Sequence, residues 1–565
     1  MTLHLTRWGS DVVDGRSLGR PCRVFARRPT HLAQLVEDSA RHGQRVHLVQ
    51  GEQRITFAEL GEAVGRVGDR LRAEGLRPGD RVVLFGANSL AWVATFWACL
   101  ANDWVLVPAN AWWSAEEAAH AVATTGAARA VADERRRSRL PAGLPCLDLG
   151  SVLDDGPSDP GSGPAAGDAS EDDPAIVLFT SGTTSFPKGA TLTHGNLLAN
   201  LQNLLAVAGR LPSEERSDRP ASVTLITMPL FHIGGIQQLL TALVSGNTLV
   251  FVDGRFDAER MLEVLERERV TVWSAVPTMV TRVLDALDAE PGRHDVTSLR
   301  TLVMGGSPVP DGLRARAAAA FPTTTRGLGV SYGMTEVAGV IATAAGPEVL
   351  TRPGTVGRLL PTVEARIDDP DEDGVGELVV RSPGVMRGYW GIADDPALSP
   401  DGWLRTGDLA RLAADGWLSI VGRSKDVVIR GGENIASVRV EARLAEHPAV
   451  LEVAVVGLPH PDLGEELAAA VVLRHGAPAT EQDLAAFAAA SLAYFEVPTR
   501  WWFLDDLPKN AMGKILKRQV AGGWPDRYPT SATDTTGLAG GLAPSDPWKA
   551  TSPKAKVPPS WPTIR

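Results

Sequence analysis

The sequence predicts an α/β protein with a large N-terminal domain of two α/β subdomains plus a β-rich lobe, followed by a small α+β C-terminal domain. Up to about residue 360, strand-length apolar runs alternate with helical patterns, which is typical of a largely parallel sheet covered by helices. Around residues 376–381 short strands and turns replace this alternation. After about residue 424 a smaller mixture of strand and helix patterns begins.

Local patterns place the elements in order along the chain. Residues 81–85 predict a buried strand after a Pro-Gly-Asp turn, residues 92–100 a helix and residues 105–108 the next strand. Residues 175–180 predict a core strand, after a solvated connection from about 154 to 173. In the small domain, residues 452–457 predict a strand and residues 481–490 a helix.

These patterns divide the chain into three predicted segments. Residues 1–424 form the N-terminal domain, residues 425–524 the C-terminal domain, and residues 525–565 a disordered tail rich in Pro, Gly, Ser and Thr. The 565-residue chain is 44% hydrophobic and 22% charged, so it can build a sizeable core. Its net charge of −11 argues against nucleic acid as the main partner, since that role needs a basic face.

The cysteines and the apolar stretches narrow the class further. Cys22, Cys99 and Cys146 lie far apart without a C-x-x-C pair, so we expect ordinary thiols and neither disulfides nor a zinc site. The most apolar stretch, residues 90–107, is interrupted by Asn102 and Asp103, which favours a buried helix over a membrane span. No basic stretch with a following apolar run begins the chain, so we expect a cytoplasmic protein.

A loop rich in hydroxyl groups and glycine follows the strand at 175–180. Its candidate phosphate-binding residues are Thr180, Ser181, Gly182, Thr183, Thr184 and Lys188. Backbone and side-chain donors on such a turn can point inward together, and the lysine adds positive charge. The loop is not of the G-x-x-x-x-G-K-[ST] type, because Pro187 precedes the lysine. A surface turn of serines and threonines is the alternative.

Further candidate residues stand in later turns. Thr335 and Glu336 offer oxygen ligands suited to Mg²⁺, although a surface Thr–Glu pair is the alternative. Asp408 can accept both hydroxyls of a ribose, and Lys514 stands directly behind a glycine. Taken singly, charged turns of this kind are usually solvated.

In this order and spacing, the motifs resemble the adenylate-forming (AMP-binding, ANL) superfamily, in its acyl-CoA synthetase branch, from about residue 30 to 522. The resemblance implies an acid–thiol ligase that converts a hydrophobic, bulky carboxylic acid to its CoA thioester through acyl-AMP. It implies ATP, Mg²⁺ and coenzyme A as cofactors and a mobile C-terminal domain that rotates between two half-reactions. The sequence leaves open whether the chain is a monomer or a homodimer.

The resemblance also assigns roles to residues. The nucleotide contacts are the loop from Thr180 to Lys188, the adenine loop Gly305, Gly306 and Ser307, the segment Tyr332, Gly333 and Met334, and the ribose-binding residues Asp408 and Arg423. Thr335 contacts the α-phosphate, Glu336 holds Mg²⁺, and Lys514 offsets charge during adenylation. Lys425 is the hinge, and Gly431 and Gly432 line the pantetheine tunnel, where a side chain would block the arm.

The acid-binding side is assigned less sharply. His232 is placed near the carboxylate and the tunnel mouth, with a buried core histidine as the alternative. Small and apolar residues then suggest a roomy, uncharged pocket: Gly234, Gly235, Trp273, Val276, Ala338, Gly339 and Val340. No aspartate stands near the histidine to pair with an amine, so an amino-acid substrate is disfavoured.

One position departs from the family pattern, because Ser185 stands where a glycine is usual. If that position needs a positive φ, serine costs about 1–2 kcal/mol, or roughly a tenfold loss in the ATP-dependent rate. One alternative follows from this departure: a chain that forms only the thioester from preformed acyl-AMP. A second, separate alternative is a non-catalytic acyl- or nucleotide-binding relative. We expect Ser185→Gly to raise acid-dependent ATP–pyrophosphate exchange at least about tenfold if adenylation is impaired.

Overall fold

The computed structural model describes residues 5–154, 169–180, 187–214, 220–254, 256–431, 433–510 and 513–525. The predicted solvated connection at 154–173 and the predicted tail at 525–565 therefore lie mostly outside the described residues. Within the described ranges, no helix is long and apolar enough to cross a membrane.

One subdomain is built on a seven-stranded sheet of order β20-β10-β9-β6-β5-β7-β8. Its strands are β5 (Arg81–Phe85), β6 (Val105–Pro108), β7 (Arg129–Ala132), β8 (Cys146–Asp148), β9 (Pro174–Thr180), β10 (Lys188–Thr193) and β20 (Gly388–Tyr389). The strands from β9 to β8 run parallel, whereas β10 and β20 add antiparallel edges. The strands predicted at 81–85, 105–108 and 175–180 are thus confirmed.

A thirteen-stranded sheet of order β18-β19-β21-β22-β17-β16-β15-β14-β13-β11-β12-β3-β4 carries the rest of the large body. Its first strands are β3 (Val46–Gln50), β4 (Gln53–Thr56), β11 (Val223–Ile226), β12 (Thr248–Phe251), β13 (Val272–Ala275), β14 (Thr301–Gly305) and β15 (Leu328–Met334). Its later strands are β16 (Gly339–Ala345), β17 (Thr355–Leu359), β18 (Glu364–Asp368), β19 (Gly376–Arg381), β21 (Leu404–Leu412) and β22 (Trp417–Arg423). In this sheet order, the strands from β15 to β3 run parallel to one another. The edge strand β4 and the strands from β16 to β18 pair antiparallel. The predicted β-rich lobe is therefore continuous with the second subdomain's sheet.

Helices cover both sheets. In the large body they are α1 (Ala33–Ser39), α2 (Phe57–Ala73), α3 (Leu90–Ala101), α4 (Ala115–Thr125), α5 (Glu134–Arg137), α6 (His194–Val207), α7 (Ile233–Ser245), α8 (Ala258–Arg267), α9 (Pro277–Ala289), α10 (Asp311–Ala320) and α11 (Glu348–Thr351). A hairpin of β1 (Val12–Ser17) and β2 (Arg20–Phe25) precedes them. All residues of α3 are buried, which confirms the buried helix expected from the most apolar stretch.

The C-terminal part folds around its own five-stranded sheet. The strands are β23 (Val427–Arg430), β24 (Glu433–Ala436), β25 (Val450–His460), β26 (Gly464–Leu473) and β27 (Arg500–Phe503). Helices α12 (Ser437–Ala445), α13 (Glu481–Ala489) and α14 (Lys517–Gly522) pack with it. The predicted strand at 452–457 and helix at 481–490 are confirmed, while the boundary at residue 424 stays a prediction.

An ion pair joins the two parts of the molecule. Arg474, just after β26, donates two hydrogen bonds of 2.9 Å to the two carboxylate oxygens of Asp285 in α9. Arg316 of α10 approaches the same carboxylate at 2.7 Å. The small part is thereby held against the face of the large body that carries α9 and α10.

Candidate active site

The candidate phosphate loop joins the two strands of the β9–β10 hairpin. Thr180 and Lys188 pair with each other at the end of the hairpin next to the loop. The loop residues Ser181, Gly182, Thr183 and Thr184, and the departing residue Ser185, lie outside the described residues. Among the described residues, no carboxylate lies within ion-pair distance of Lys188, so its ammonium is available to an anion.

The candidate metal ligand Glu336 lies in a short turn after β15, beside this hairpin. Its carboxylate accepts a 2.9 Å hydrogen bond from the hydroxyl of Tyr389 through Oε1. In the described part of the chain no side chain bonds Oε2. A carboxylate with one free oxygen, next to the hydroxyl of Thr335, fits a hard cation such as Mg²⁺.

Tyr389 is a residue that the sequence reasoning missed. It belongs to β20, which pairs with β10 only through two residues. The ammonium of Lys188 lies over its ring, 5.0 Å from the centroid. Burial and the charge of Glu336 raise the pKa of the tyrosine, and the side chain of Thr180 lowers it. The Gly-Tyr-Trp sequence at 388–390 offered no signal that distinguishes this tyrosine from a core aromatic.

The candidate adenine loop lies at the end of β14. Gly306 has a φ of +80°, which favours glycine, and a Cβ on Gly305 would lie 2.5 Å from the hydroxyl of Ser331. Gly333 packs more closely, since its Cβ would lie 2.0 Å from the carbonyl oxygen of Gly339. Ser307 and Met334 lie half-buried at the same edge. These glycines let β14, β15 and β16 approach closely.

Tyr332, Asp408 and Arg423 form one hydrogen-bonded group. The tyrosine hydroxyl donates to Oδ2 of Asp408 at 2.5 Å, and Nε of Arg423 donates to Oδ1 at 2.8 Å. Strands β21 and β22 bring the last two residues opposite each other. Burial, followed by the charge of Asp408, raises the pKa of Tyr332 well above its usual value. The phenol therefore stays protonated and holds the carboxylate in place.

The small domain brings Lys514 to this group. Burial lowers the pKa of Lys514, and the charge of Arg423 lowers it further, whereas Asp408 raises it. The neighbouring Gly513 has a φ of +75°, and a Cβ there would lie 3.2 Å from Oγ1 of Thr278 in α9. The lysine loop therefore rests on the large body beside the ribose-binding candidates.

Two anchors fix the lysine loop within the small domain. The side-chain oxygen of Asn510 accepts the backbone N–H of Lys514 at 2.9 Å. Lys517 binds Glu441 at 2.7 Å and donates to the hydroxyl of Ser437 at 2.7 Å. Helix α12 thus holds the end of the loop.

His232 occupies the N-cap position of α7 without a capping side-chain hydrogen bond, and it lies half-buried. Its Nε2 has no hydrogen-bond partner among the described residues, and burial lowers its pKa to about 4. Its ring lies 4.6 Å from that of Phe231, which in turn meets Trp112 edge-on at 5.5 Å. Trp112 is 46% exposed, so an aromatic row leads from the surface to the half-buried, neutral imidazole of His232.

The other acid-pocket candidates have packing explanations. A Cβ on Gly235 would lie 2.4 Å from the carbonyl oxygen of Pro229, and one on Gly339 would lie 2.6 Å from Oδ1 of Asn200. Gly234, Ala338 and Val340 pack in the same region, where Met228, Gln237 and Asn200 contact them. Their smallness alone is therefore no evidence of a pocket.

Trp273 and Val276 differ in placement. Trp273 is fully buried and donates a 3.1 Å hydrogen bond to Thr227. The two methyl groups of Val276 face Gly306 and Gly513, one each. The structure therefore brings Val276 to the adenine loop and the lysine loop. The lining role of Trp273 stays a prediction.

The hinge and tunnel candidates lie at the junction. Lys425 is exposed in the turn between β22 and β23. Gly431 has a φ of +61°, and its N–H donates to the carbonyl of Leu463 at 2.8 Å. Gly432 lies outside the described residues.

Hydroxyl, carboxylate and lysine groups gather at the strand edges of this α/β body, and the small second domain supplies a further lysine. This arrangement is that of a nucleotide-dependent enzyme. The profile of the family described as AMP-binding enzyme matches residues 35–390, and that of the AMP-binding enzyme C-terminal domain matches residues 439–514. The chain belongs to this family of AMP-binding enzymes, in its acyl-CoA ligase branch.

Named relatives support this branch. The chain is 37% identical over 488 residues to a feruloyl-CoA synthase of Amycolatopsis sp., covering 83% of this chain and 94% of the relative. It is 33% identical over 479 residues to 2-succinylbenzoate–CoA ligase of Bacillus cereus, covering 83% and 93%. The structure resembles o-succinylbenzoate CoA synthetase of Bacillus subtilis bound to its acyl-adenylate, with a TM-score of 0.74 and 29% identity over 86% of this chain and 97% of that chain. Another structure of that enzyme holds ATP and a magnesium ion.

Proposed function

We propose that this enzyme joins a hydrophobic carboxylic acid to coenzyme A in two steps, through an acyl-AMP intermediate, with aromatic acids as the preferred class. The observation that carries the proposal is the position of Lys514, which the small domain places beside Asp408 and Arg423. The named relatives act on acids that carry an aromatic ring, which supports the substrate class.

In the first step a carboxylate oxygen of the acid bonds to the α-phosphorus of ATP, and pyrophosphate leaves. The acid is already ionised at neutral pH, so no general base is needed. Lys514 offsets the negative charge at the α-phosphate, Lys188 with the phosphate loop holds the leaving pyrophosphate, and Asp408 binds the ribose. Mg²⁺, when bound by Glu336, neutralises phosphate charge.

In the second step the thiol sulfur of coenzyme A bonds to the acyl carbon, loses its proton, and AMP leaves. His232 offers a neutral ring whose Nε2 has no partner among the described residues, so it can accept a hydrogen bond from the thiol. Its pKa, lowered to about 4 by burial, makes it a weak base, so the thiol proton passes on to solvent. Lys514 has to withdraw for this step, so the small domain moves between the two reactions.

The two alternative functions have less support. The relatives are complete acid–CoA ligases by name, and Lys514, Glu336 and Asp408 are all retained. A thioester-only enzyme or a non-catalytic binding protein is therefore not favoured.

The activity is tested by supplying aromatic and aliphatic acids with ATP and coenzyme A, and measuring thioester and AMP. A parallel reaction supplies presynthesised acyl-AMP with coenzyme A. We expect thioester in both, with higher kcat/KM for aromatic than for aliphatic acids. If thioester forms only in the reaction with supplied acyl-AMP, the thioester-only enzyme is the correct description. If thioester forms in neither reaction, the proposal is rejected.

Lys514→Ala separates the two steps. We expect acid-dependent ATP–pyrophosphate exchange to fall by roughly 100- to 1,000-fold, because a preorganised charge at the α-phosphate is lost. Thioester formation from supplied acyl-AMP should stay within about twofold of wild type. Arg411→Ala, an exposed cation on β21 beyond Asp408, is the control and should change neither rate. Equal losses in both steps would contradict the assignment.

A further inference from the structure

Residues 386–390 tie the candidate metal ligand to the candidate phosphate hairpin. The N–H of Met386 donates to the backbone carbonyl of Glu336 at 2.8 Å. The N–H of Arg387 and that of Trp390 donate to β10 carbonyls, at Thr191 (3.0 Å) and at Gly189 (2.7 Å). This segment, which we call the clasp, therefore fixes the turn that carries Glu336 relative to the strand that carries Lys188.

Tyr389 is the clasp residue whose side chain meets both functional groups. Its hydroxyl donates to Oε1 of Glu336 at 2.9 Å, and its ring face receives the ammonium of Lys188 at 5.0 Å. The hydrogen bond restricts the carboxylate to one rotamer and leaves Oε2 for a cation. The ring holds the ammonium by a cation–π contact without neutralising it, as a carboxylate would.

We propose that Tyr389 is a positioning residue for magnesium–ATP: its hydroxyl orients the Glu336 carboxylate toward the metal, and its ring orients the Lys188 ammonium toward the phosphates. Both groups must bind one metal–triphosphate unit, so an error in either position weakens the binding of ATP with its metal. AMP lacks the β- and γ-phosphates and gains nothing from this arrangement. The inference rests on the proposed use of ATP and Mg²⁺.

The experiment measures binding rather than turnover. Calorimetry with a non-hydrolysable ATP analogue, repeated at increasing Mg²⁺, gives the Mg²⁺ concentration at which the metal-dependent gain in analogue affinity is half complete. AMP binding without metal is measured alongside. In Tyr389→Phe, which keeps the ring, we expect this Mg²⁺ concentration to rise about tenfold. AMP affinity should stay within about twofold.

Tyr389→Leu removes the ring as well. We expect the same shift in Mg²⁺ dependence and a further loss of about three- to fivefold in analogue affinity at saturating Mg²⁺, since the cation–π contact with Lys188 is gone. Tyr494→Phe is the matched control, because Tyr494 is 86% exposed in the small domain, and it should match wild type.

The outcomes distinguish a failure of the proposed use of metal–ATP from a failure of the proposed role of Tyr389. Wild-type binding of the analogue that does not depend on Mg²⁺ would reject the proposed use of metal–ATP. If analogue binding by wild type depends on Mg²⁺ and this dependence is unchanged in Tyr389→Phe, the role of Tyr389 is overturned while the use of metal–ATP stands. Equal losses of AMP and analogue affinity would also overturn it, because Tyr389 would then serve the general fold of the large body.

Discussion

Four histidines of the large body are held neutral by burial. The pKa is lowered to about 4 in His42, His47 and His232 and to about 3 in His194, with burial as the first cause in each. The unfolded chain therefore binds more protons than the folded chain as the pH falls from about 6.5 toward 4. Stability is unaffected by these groups above that window and decreases within it.

His47→Asn tests this acid sensitivity. The ring of His47 donates through Nδ1 to the carbonyl of Asn247 at 2.7 Å, and an asparagine amide can replace that donor. We expect the melting temperature of wild type to fall steeply between pH 6.5 and 4.5, and the variant to show a shallower slope. Differential scanning calorimetry across this range gives both slopes, and parallel curves would contradict the pKa of His47.

A buried group of His31, Asp103 and His194 illustrates how hydrogen bonds decide a residue's chemistry. The three side chains lie close enough to bind a metal. However, the Nδ1 atoms of His31 and His194 accept backbone N–H groups, at Ala33 (3.0 Å) and Leu32 (3.3 Å). The Nε2 atoms must therefore carry the protons, and His31 donates its proton to Asp103 at 2.7 Å. A protonated nitrogen is not a metal ligand, so the group is structural.

At the residue scale, sequence motifs indicate residues that the structure brings together, but they do not reveal partners that only the fold brings together. Asp408 and Arg423 were named from their motifs, and the structure places them opposite each other. Tyr389 was missed because its partner Glu336 lies 53 residues earlier in the chain and no local pattern connects them. Gly235 was noticed for its size, but its close approach to Pro229 explains that size.

At the scale of the elements, one buried side chain, Asn196, anchors the start of α6. Asn196 accepts the N–H of Thr193 at 3.0 Å, completing a capping box, and donates to the carbonyls of Pro383 (2.8 Å) and Val385 (3.0 Å). It therefore joins the helix start to the segment that leads into the clasp. The capping box is a local pattern, but the bonds to Pro383 and Val385 cannot be inferred from the local sequence.

Asn196→Ala should lower the free energy of unfolding by about 3 kcal/mol, because the helix loses a cap and the Val385 carbonyl loses its bond from Asn196. The Pro383 carbonyl would keep only a longer, 3.4 Å bond from Ser17. The comparison is Thr56→Ala, which removes the cap hydrogen bond that starts α2 at an exposed position and should cost about 1 kcal/mol. Chemical denaturation gives both values. Equal losses would show that the bonds to Pro383 and Val385 contribute nothing.

At the scale of the whole molecule, the ion pair between Arg474 and Asp285 accompanies the placement of Lys514 on the large body. The alternation of strands and helices predicted both parts of the chain. It could not predict this pair, because side-chain contacts across a domain junction depend on how the domains are oriented. In the proposed mechanism, the pair belongs to the arrangement that serves adenylation.

Arg474→Gln should therefore slow ATP–pyrophosphate exchange by about two- to fivefold, the range for a partly exposed ion pair. Thioester formation from supplied acyl-AMP should not slow, since that step uses another domain arrangement. Arg352→Gln, which breaks an exposed pair with Asp415 inside the large body, is the control. A loss confined to the thioester step would show that the pair serves the other arrangement.

The distribution of thiols would make the proposed domain movement measurable by fluorescence. All three cysteines lie before residue 150, and Cys22 and Cys99 are buried, with the pKa of Cys22 raised to about 11. Only Cys146 is partly exposed, so Cys146→Ser leaves a chain with little thiol reactivity toward maleimide dyes. One cysteine introduced on each domain would then carry a donor and an acceptor dye. Energy transfer between them would report, molecule by molecule, how long the enzyme spends in each arrangement.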